Sequence, residues 1–289
     1  MSKANLVMFM FRRIPQEDSI MLRRFFLQIV VLSVALLSVI GVAQARTLND
    51  IIESKTLRVG VNPNFPPMSS YGSTNQFEGF DIDVGNMLAA ALGVEAEFVP
   101  TETPQRVPFL VSDKIDISLG ALTRTPARSL LISYTAPLHT EAMAVLTTDK
   151  LDITQWKDLN DSKYTLANMR GNWTVGWTKD NLPNAKLELV DTIADTVRLV
   201  GQGRADAIVE NIDFFMAHTS NYPDVNWRVL SDTIFVAYCA IGVGQGNFAL
   251  RDTLNIVLHG LHSSNTINAT WEKWYGAPML APVVETPFF

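Results

Sequence analysis

The sequence predicts an α/β chain made of two similar lobes in succession, and three observations predict it. Apolar alternation marks a strand at Leu57–Val61, helical spacing follows from Asp81, and alternation returns at Val94–Val99; strand, helix, strand calls for a parallel crossover. One pattern occurs twice: helix, polar turn, basic residue, apolar residue, aspartate, apolar strand, as Lys114-Ile-Asp116 and as Arg204-Ala-Asp206. The chain of 289 residues has a single cysteine, so no internal disulfide supports it. An apolar core must do so, and the length allows one large or two medium domains.

Arg23-Arg24, the apolar run Phe25–Val42 and the small-x-small site Ala43-Gln44-Ala45 read as a secretory signal over residues 1–45, with Met21 as an alternative start. A retained membrane anchor is the other reading of that run. Strand Leu57–Val61 runs into Asn62-Pro-Asn-Phe-Pro-Pro67, where three prolines predict an irregular loop and make Phe65 either a ligand wall or a cover for the sheet edge. Asp81 is expected to cap a helix that buries Ile82, Leu88 and Leu92 and stops at Gly93. Cap and first-turn acid account for Asp81 and Asp83 more simply than a catalytic or metal pair. A short helix near Val107–Val111 and a strand Ile115–Leu119 deliver the chain to Gly120-Ala-Leu-Thr-Arg-Thr-Pro-Ala-Arg128.

There Thr125 and Pro126 read as N-cap and first helical position, which puts Arg128 in a first turn, where the helix dipole disfavours a cation. A ligand carboxylate resolves that conflict, with Thr123, Thr125 and free backbone N–H groups as further donors; an ion pair with a nearby Asp is the alternative.

A second α/β pattern starts near Trp156: strand Tyr164–Asn168, the turn Gly171-Asn-Trp-Thr174, a helix holding Trp177, strand Leu187–Val190, a helix from Ile193, strand Arg204–Glu210 and a helix after Asn211. Phe235–Val243 is a long strand carrying Cys239, which reads as a buried thiol with no His nearby in sequence. Gly242-Val-Gly-Gln-Gly246 lacks the spacing of a phosphate loop. Helices near Phe248–Leu261 and up to Gly276 close the pattern, before a Pro-containing tail.

The first 45 residues hold five basic and two acidic side chains, so the remainder carries a formal charge of −9. That opposes nucleic-acid or anionic-membrane binding. His259 and His262 share a helical face without nearby Cys or paired acids, so neither metal nor cofactor is expected.

Gly79-Phe-Asp-Ile-Asp83, Lys114-Ile-Asp116 leading to Arg128, Tyr134-Thr-Ala-Pro137, Gly203-Arg-Ala-Asp-Ala207 and Trp271-Glu-Lys-Trp-Tyr-Gly276 together resemble the periplasmic solute-binding proteins of ABC transporters, the family for polar amino acids. The resemblance implies a two-lobed periplasmic-binding-protein fold with two hinge crossings, near Ala144–Thr148 and Tyr238–Val243. Residues 46–145 plus 242–277 would form lobe 1, 146–241 lobe 2, and 278–289 the tail. It further implies a small-molecule ligand, an amino acid or other carboxylate, delivered to a membrane permease. Arg128, Thr123 and backbone near Ala121 would hold its carboxylate, Phe65 would pack on it with Asn62 close by, and Asn172, Trp173 and Thr174 would reach in from the other lobe. Asn211 departs from the pattern, because many members carry an Asp there for the ligand ammonium, and Asn supplies no charge. An exported dehydratase-like enzyme on the same fold is the rival reading, with Glu210 as its general acid.

Overall fold

The structure is a computed structural model; it describes residues 45–230 and 233–284. The signal-peptide reading therefore lies outside the described residues, apart from Ala45.

The chain opens with helix α1 (Leu48–Ser54), closed at its start by a Thr47/Asp50 capping box. Strand β1 (Thr56–Val61) follows, then β2 (Asn64–Phe65), β3 (Ser69–Tyr71) and β4 (Phe77–Glu78). These last three pair as a small antiparallel sheet, so the proline-rich stretch is more regular than expected. Helix α2 (Phe80–Ala91) and β5 (Glu95–Pro100) complete the first crossover, with β5 parallel to β1. Gly79, not Asp81, is the N-cap of α2, at φ 134° with the Met68 carbonyl in the space a Cβ would need. Only glycine fits there. Asp81 is instead wholly buried and accepts the Gly120 N–H at 2.8 Å.

Helix α3 (Arg106–Val111), the two-residue β6 (Ile117–Ser118) and the four-residue α4 (Pro126–Ser129) lead to β7 (Ile132–Thr148). The second half has β8 (Thr165–Met169), α5 (Thr174–Asn181), β9 (Lys186–Val190), α6 (Ile193–Gly201), β10 (Ala207–Asn211), α7 (Ile212–Thr219) and β11 (Trp227–Val229). The chain returns along β12 (Phe235–Gly244) and ends in α8 (Phe248–Ser263) and α9 (Thr266–Tyr275), stopped by left-handed Gly276.

The main sheet runs β5-β1-β6-β12-β7-β10-β8-β9, with β11 on β7. It holds two parallel sets, β5-β1-β6 and β10-β8-β9, joined through the antiparallel strands β12 and β7. This is the two-lobed fold with two shared strands. Those strands run side by side along Ile132–Met143 and Phe235–Gly244, with register breaks at Cys239 to Gly242 that let the pair bend between the halves. Met143–Leu146 pairs with β10, and Leu146–Thr148 with β11.

The repeated Lys/Arg-x-Asp pattern has one structural meaning in both halves. The Asp116 carboxylate accepts the Arg58 N–H of β1 at 2.8 Å and its own N–H donates to the Arg58 carbonyl; Asp206 does the same with Thr165 of β8, accepting at 2.7 Å. Each aspartate locks its strand to the parallel neighbour. One core, holding Leu57, Phe80, Leu88, Leu254 and Trp271, lies mainly in the first half and reaches Met169, Ile193 and Phe214 of the second, with a smaller first-half cluster around Leu110 and Ile132; two others hold the second half together, around Leu166 and Val209 and around Val197 and Phe215. No helix among the described residues is long and apolar enough to cross a membrane.

Candidate ligand-binding cleft

The loops of the two halves meet beside β7 and β12. Gly171, at φ 77°, lies so close to Pro104 that a Cβ would stand 3.0 Å from its backbone. Phe65 packs on Phe214 with ring centroids 4.6 Å apart, and Thr103 meets Met169. Arg128 bridges the same seam: one guanidinium nitrogen donates to the Thr123 carbonyl at 3.1 Å, the other to the Gly171 carbonyl at 3.2 Å.

The cap expected for the Arg128 helix is present, since Thr125 Oγ1 accepts the Arg128 N–H at 3.3 Å and Pro126 stands at the first position. The helix dipole, by contrast, does not set Arg128 apart, because a four-residue helix has Arg128 as much in its last turn as in its first. What marks Arg128 is its bridging place, and among the described residues no carboxylate forms an ion pair with it.

The other candidate residues take different places. Thr123 is buried, its hydroxyl 3.5 Å from Glu141 Oε2 and 3.7 Å from Cys239 Sγ. Ala121 follows Gly120 with positive φ at both positions, turning the chain at the tip of β6. Asn62 is buried and donates to Thr103 Oγ1 at 2.9 Å. Phe65 is buried and packs on Phe214. Asn172 donates from Nδ2 to Glu210. Trp173 stacks edge-on to Phe235 at 5.1 Å, and its indole N–H has no partner among the described residues. Thr174 is wholly buried and donates to Asn168 at 3.2 Å. Asn211 is the N-cap of α7; its Oδ1 accepts the Asp213 N–H at 3.3 Å, while the buried Nδ2 has no partner among the described residues. Thr123 and Trp173 also line a cavity of about 590 Å³, with Trp177, Phe235 and Tyr238.

Sequence reasoning does not single out three ionisable groups at this place as ligand contacts. Arg106 is buried and donates to the carbonyls of Thr103 and Gly120; its pKa is pushed down to about 10 by burial and then by the Arg128 charge. Glu141 and Glu210, each 3% exposed, both have raised pKa values, chiefly through burial; the Glu141 charge lifts Glu210 further. Cys239 is the expected buried thiol, with its pKa raised by burial. No group of three or more metal-ligating side chains occurs among the described residues.

The profile of the bacterial extracellular solute-binding proteins, family 3, matches residues 57–277. A probable amino-acid ABC transporter-binding protein of Haemophilus influenzae is 26% identical over 241 residues, 81% of this chain and 90% of the relative. The L-cystine-binding protein TcyJ of Escherichia coli is 25% identical over 246 residues, 84% and 91% of the two chains. Among solved structures, an ancestral amino acid-binding protein described as a precursor of cyclohexadienyl dehydratase superposes with TM-score 0.72 at 30% identity, over 79% of this chain and 99% of that one. The solute receptor for L-cysteine of Neisseria gonorrhoeae does so with TM-score 0.72 at 26% identity, over 79% and 93%. The Haemophilus and Escherichia relatives are named as binding proteins, and the profile that matches this chain is that of a family of solute-binding proteins. With a profile match spanning both halves of the sheet and the two shared strands between them, the chain belongs to the bacterial extracellular solute-binding proteins of family 3.

Proposed function

We propose that this protein captures an amino acid or close derivative between its two lobes and delivers it to an ABC permease, acting in the periplasm after cleavage of its leader. The observation that carries the reading is Arg128, which stands at the seam of the two halves with a guanidinium that no carboxylate neutralises among the described residues. Such a fork suits a ligand carboxylate, since it makes two parallel charge-assisted bonds. Residues 46–145 with 242–277 are proposed as one lobe and 146–241 as the other. Thr123 and backbone at Ala121 assist Arg128, Phe65 and Trp173 wall the ligand, and Asn62, Asn172, Thr174 and Asn211 complete the polar surround. Relatives named for L-cystine and L-cysteine support the amino-acid class.

The test is calorimetry of the mature chain with the proteinogenic L-amino acids and L-cystine as probes. Saturable one-to-one binding of at least one amino acid is expected. Binding of none of them, with a sugar or a plain carboxylic acid bound instead, overturns the amino-acid reading.

A further inference from the structure

Beside the residues proposed to hold the amino acid lies the cavity of about 590 Å³. Thr123 and Trp173 line it, whereas Arg128, Phe65 and Asn211 do not. The two halves already touch at Gly171 and Pro104 and at Phe65 and Phe214, so the cavity is space that remains with the halves in contact. Its volume falls within the roughly 300–1,000 Å³ typical of small-molecule pockets.

The walls are aromatic. Trp173 and Trp177 come from the start and the middle of α5, Phe235 and Tyr238 from β12. Phe235 stands between the two indoles, its ring centroid 5.1 Å from that of Trp173 and 5.7 Å from that of Trp177. Trp177 also packs on Trp156 at 5.2 Å, against the core around Leu166 and Val209, which fixes this wall from behind. Tyr238 is half exposed and belongs to none of the four core clusters among the described residues. Packing of the second half therefore accounts for Trp177 and leaves Tyr238 without a structural task.

Polar groups are left open around these rings. The buried indole N–H of Trp173 has no partner among the described residues. A buried indole ordinarily finds an acceptor, and here a ligand is left to supply it. Arg124 and Asp180, both exposed, line the cavity from opposite halves and form no ion pair among the described residues. Aromatic walls with a few polar groups are the make-up of a small-molecule site. They favour a flat ring, whose faces and edges meet the neighbouring π-systems while its apolar surface leaves water. An aliphatic chain gains only from leaving water.

We infer that this cavity is a ring-binding chamber annexed to the cleft, which takes an aromatic group either as the side chain of the bound amino acid or as a separate molecule beside it. The first source rests on the amino-acid reading of the cleft; the second does not.

The test is calorimetry of the mature chain with L-tryptophan, L-phenylalanine, L-alanine and L-glutamine, and with indole alone, on the wild type, Y238A and W177L. If the ring is the amino acid's own, L-tryptophan or L-phenylalanine binds the wild type about tenfold or more tighter than L-alanine, and each variant brings that ratio toward one. Indole that competes with the amino acid agrees with this source. If the ring belongs to a separate molecule, indole still binds when the tightest amino acid is present at saturation, and each variant weakens indole by about tenfold. Melting temperatures verify folding, and should W177L not fold, Y238A carries the comparison. Aromatic amino acids no tighter than L-alanine, together with no saturable binding of indole, overturn the inference and leave the amino-acid reading intact. Ring binding that the folded variants keep within about threefold of the wild type also overturns it. If no amino acid binds, yet indole does and the variants weaken it, the amino-acid reading fails and the chamber stands.

Discussion

Replacing Arg128 by lysine separates a planar fork from a bare positive charge. In the structure the guanidinium reaches two carbonyls on opposite sides of the seam, Thr123 at 3.1 Å and Gly171 at 3.2 Å, while no side-chain carboxylate among the described residues neutralises it. A ligand carboxylate held by the fork gains two parallel charge-assisted bonds; lysine keeps the charge as a compact ammonium whose donors do not match the two carboxylate oxygens in parallel. Losing one such bond costs about 1.5–3 kcal/mol, or roughly ten- to 150-fold in affinity. The variant also loosens one bridge between the halves, so the comparison needs a ligand whose carboxylate is replaced. Calorimetry with the bound amino acid and its carboxamide, on wild type and R128K, closes a double-mutant cycle in which the carboxamide is expected to lose little further. Equal losses for both ligands, or an unchanged affinity for the amino acid, refute the carboxylate role.

Gly171→Ala places a Cβ 3.0 Å from Pro104 at a residue with φ 77°, so it is expected to weaken ligand binding by about 1–3 kcal/mol and to enlarge the radius of gyration seen by X-ray scattering. Phe214→Ala empties the space between Phe65 and Tyr275 and should cost about 3–5 kcal/mol in denaturant unfolding. The Asp81 pKa is raised to about 7 by burial, so between roughly pH 4 and 7 the folded state holds a proton that the unfolded state has lost. Stability then falls as pH rises through that window, and Asp81→Asn, which keeps an oxygen for the Gly120 N–H, should flatten the fall in a pH series of melting temperatures. Parallel curves for the two proteins would contradict the assignment.

The alternation of the strands and the doubled Lys/Arg-x-Asp pattern make the two α/β halves legible, because each aspartate acts locally, on the adjacent parallel strand. The length of β7 is less legible: the strand includes Pro137, which has no N–H to donate, and it continues through Tyr134–Pro137 with Asn255 accepting the Ala136 N–H and Thr135 accepting the Ile241 N–H. Asp81 reads as a cap because a cap and a buried acceptor look alike in sequence, and only the distant Gly120 N–H distinguishes them. The cluster of Arg106, Glu141 and Glu210 lies beyond reach for the same reason. Three residues on three separate elements meet only through the β7–β10 pairing and the close approach of the loops, and no local spacing encodes that. The signals in sequence are Glu141, an acid within the otherwise apolar and neutral stretch Pro137–Thr148, and Glu210, which the rival enzyme reading names as a general acid.

Native mass spectrometry of the mature protein, first as purified and then after unfolding, dialysis, refolding and exposure to a mixture of L-amino acids, tests the central claim most directly. The account predicts a one-to-one complex whose released ligand carries both a carboxylate and an amine. A refolded protein that retains no amino acid from the mixture, yet selects a neutral sugar or an amine-free acid offered alongside, would contradict it.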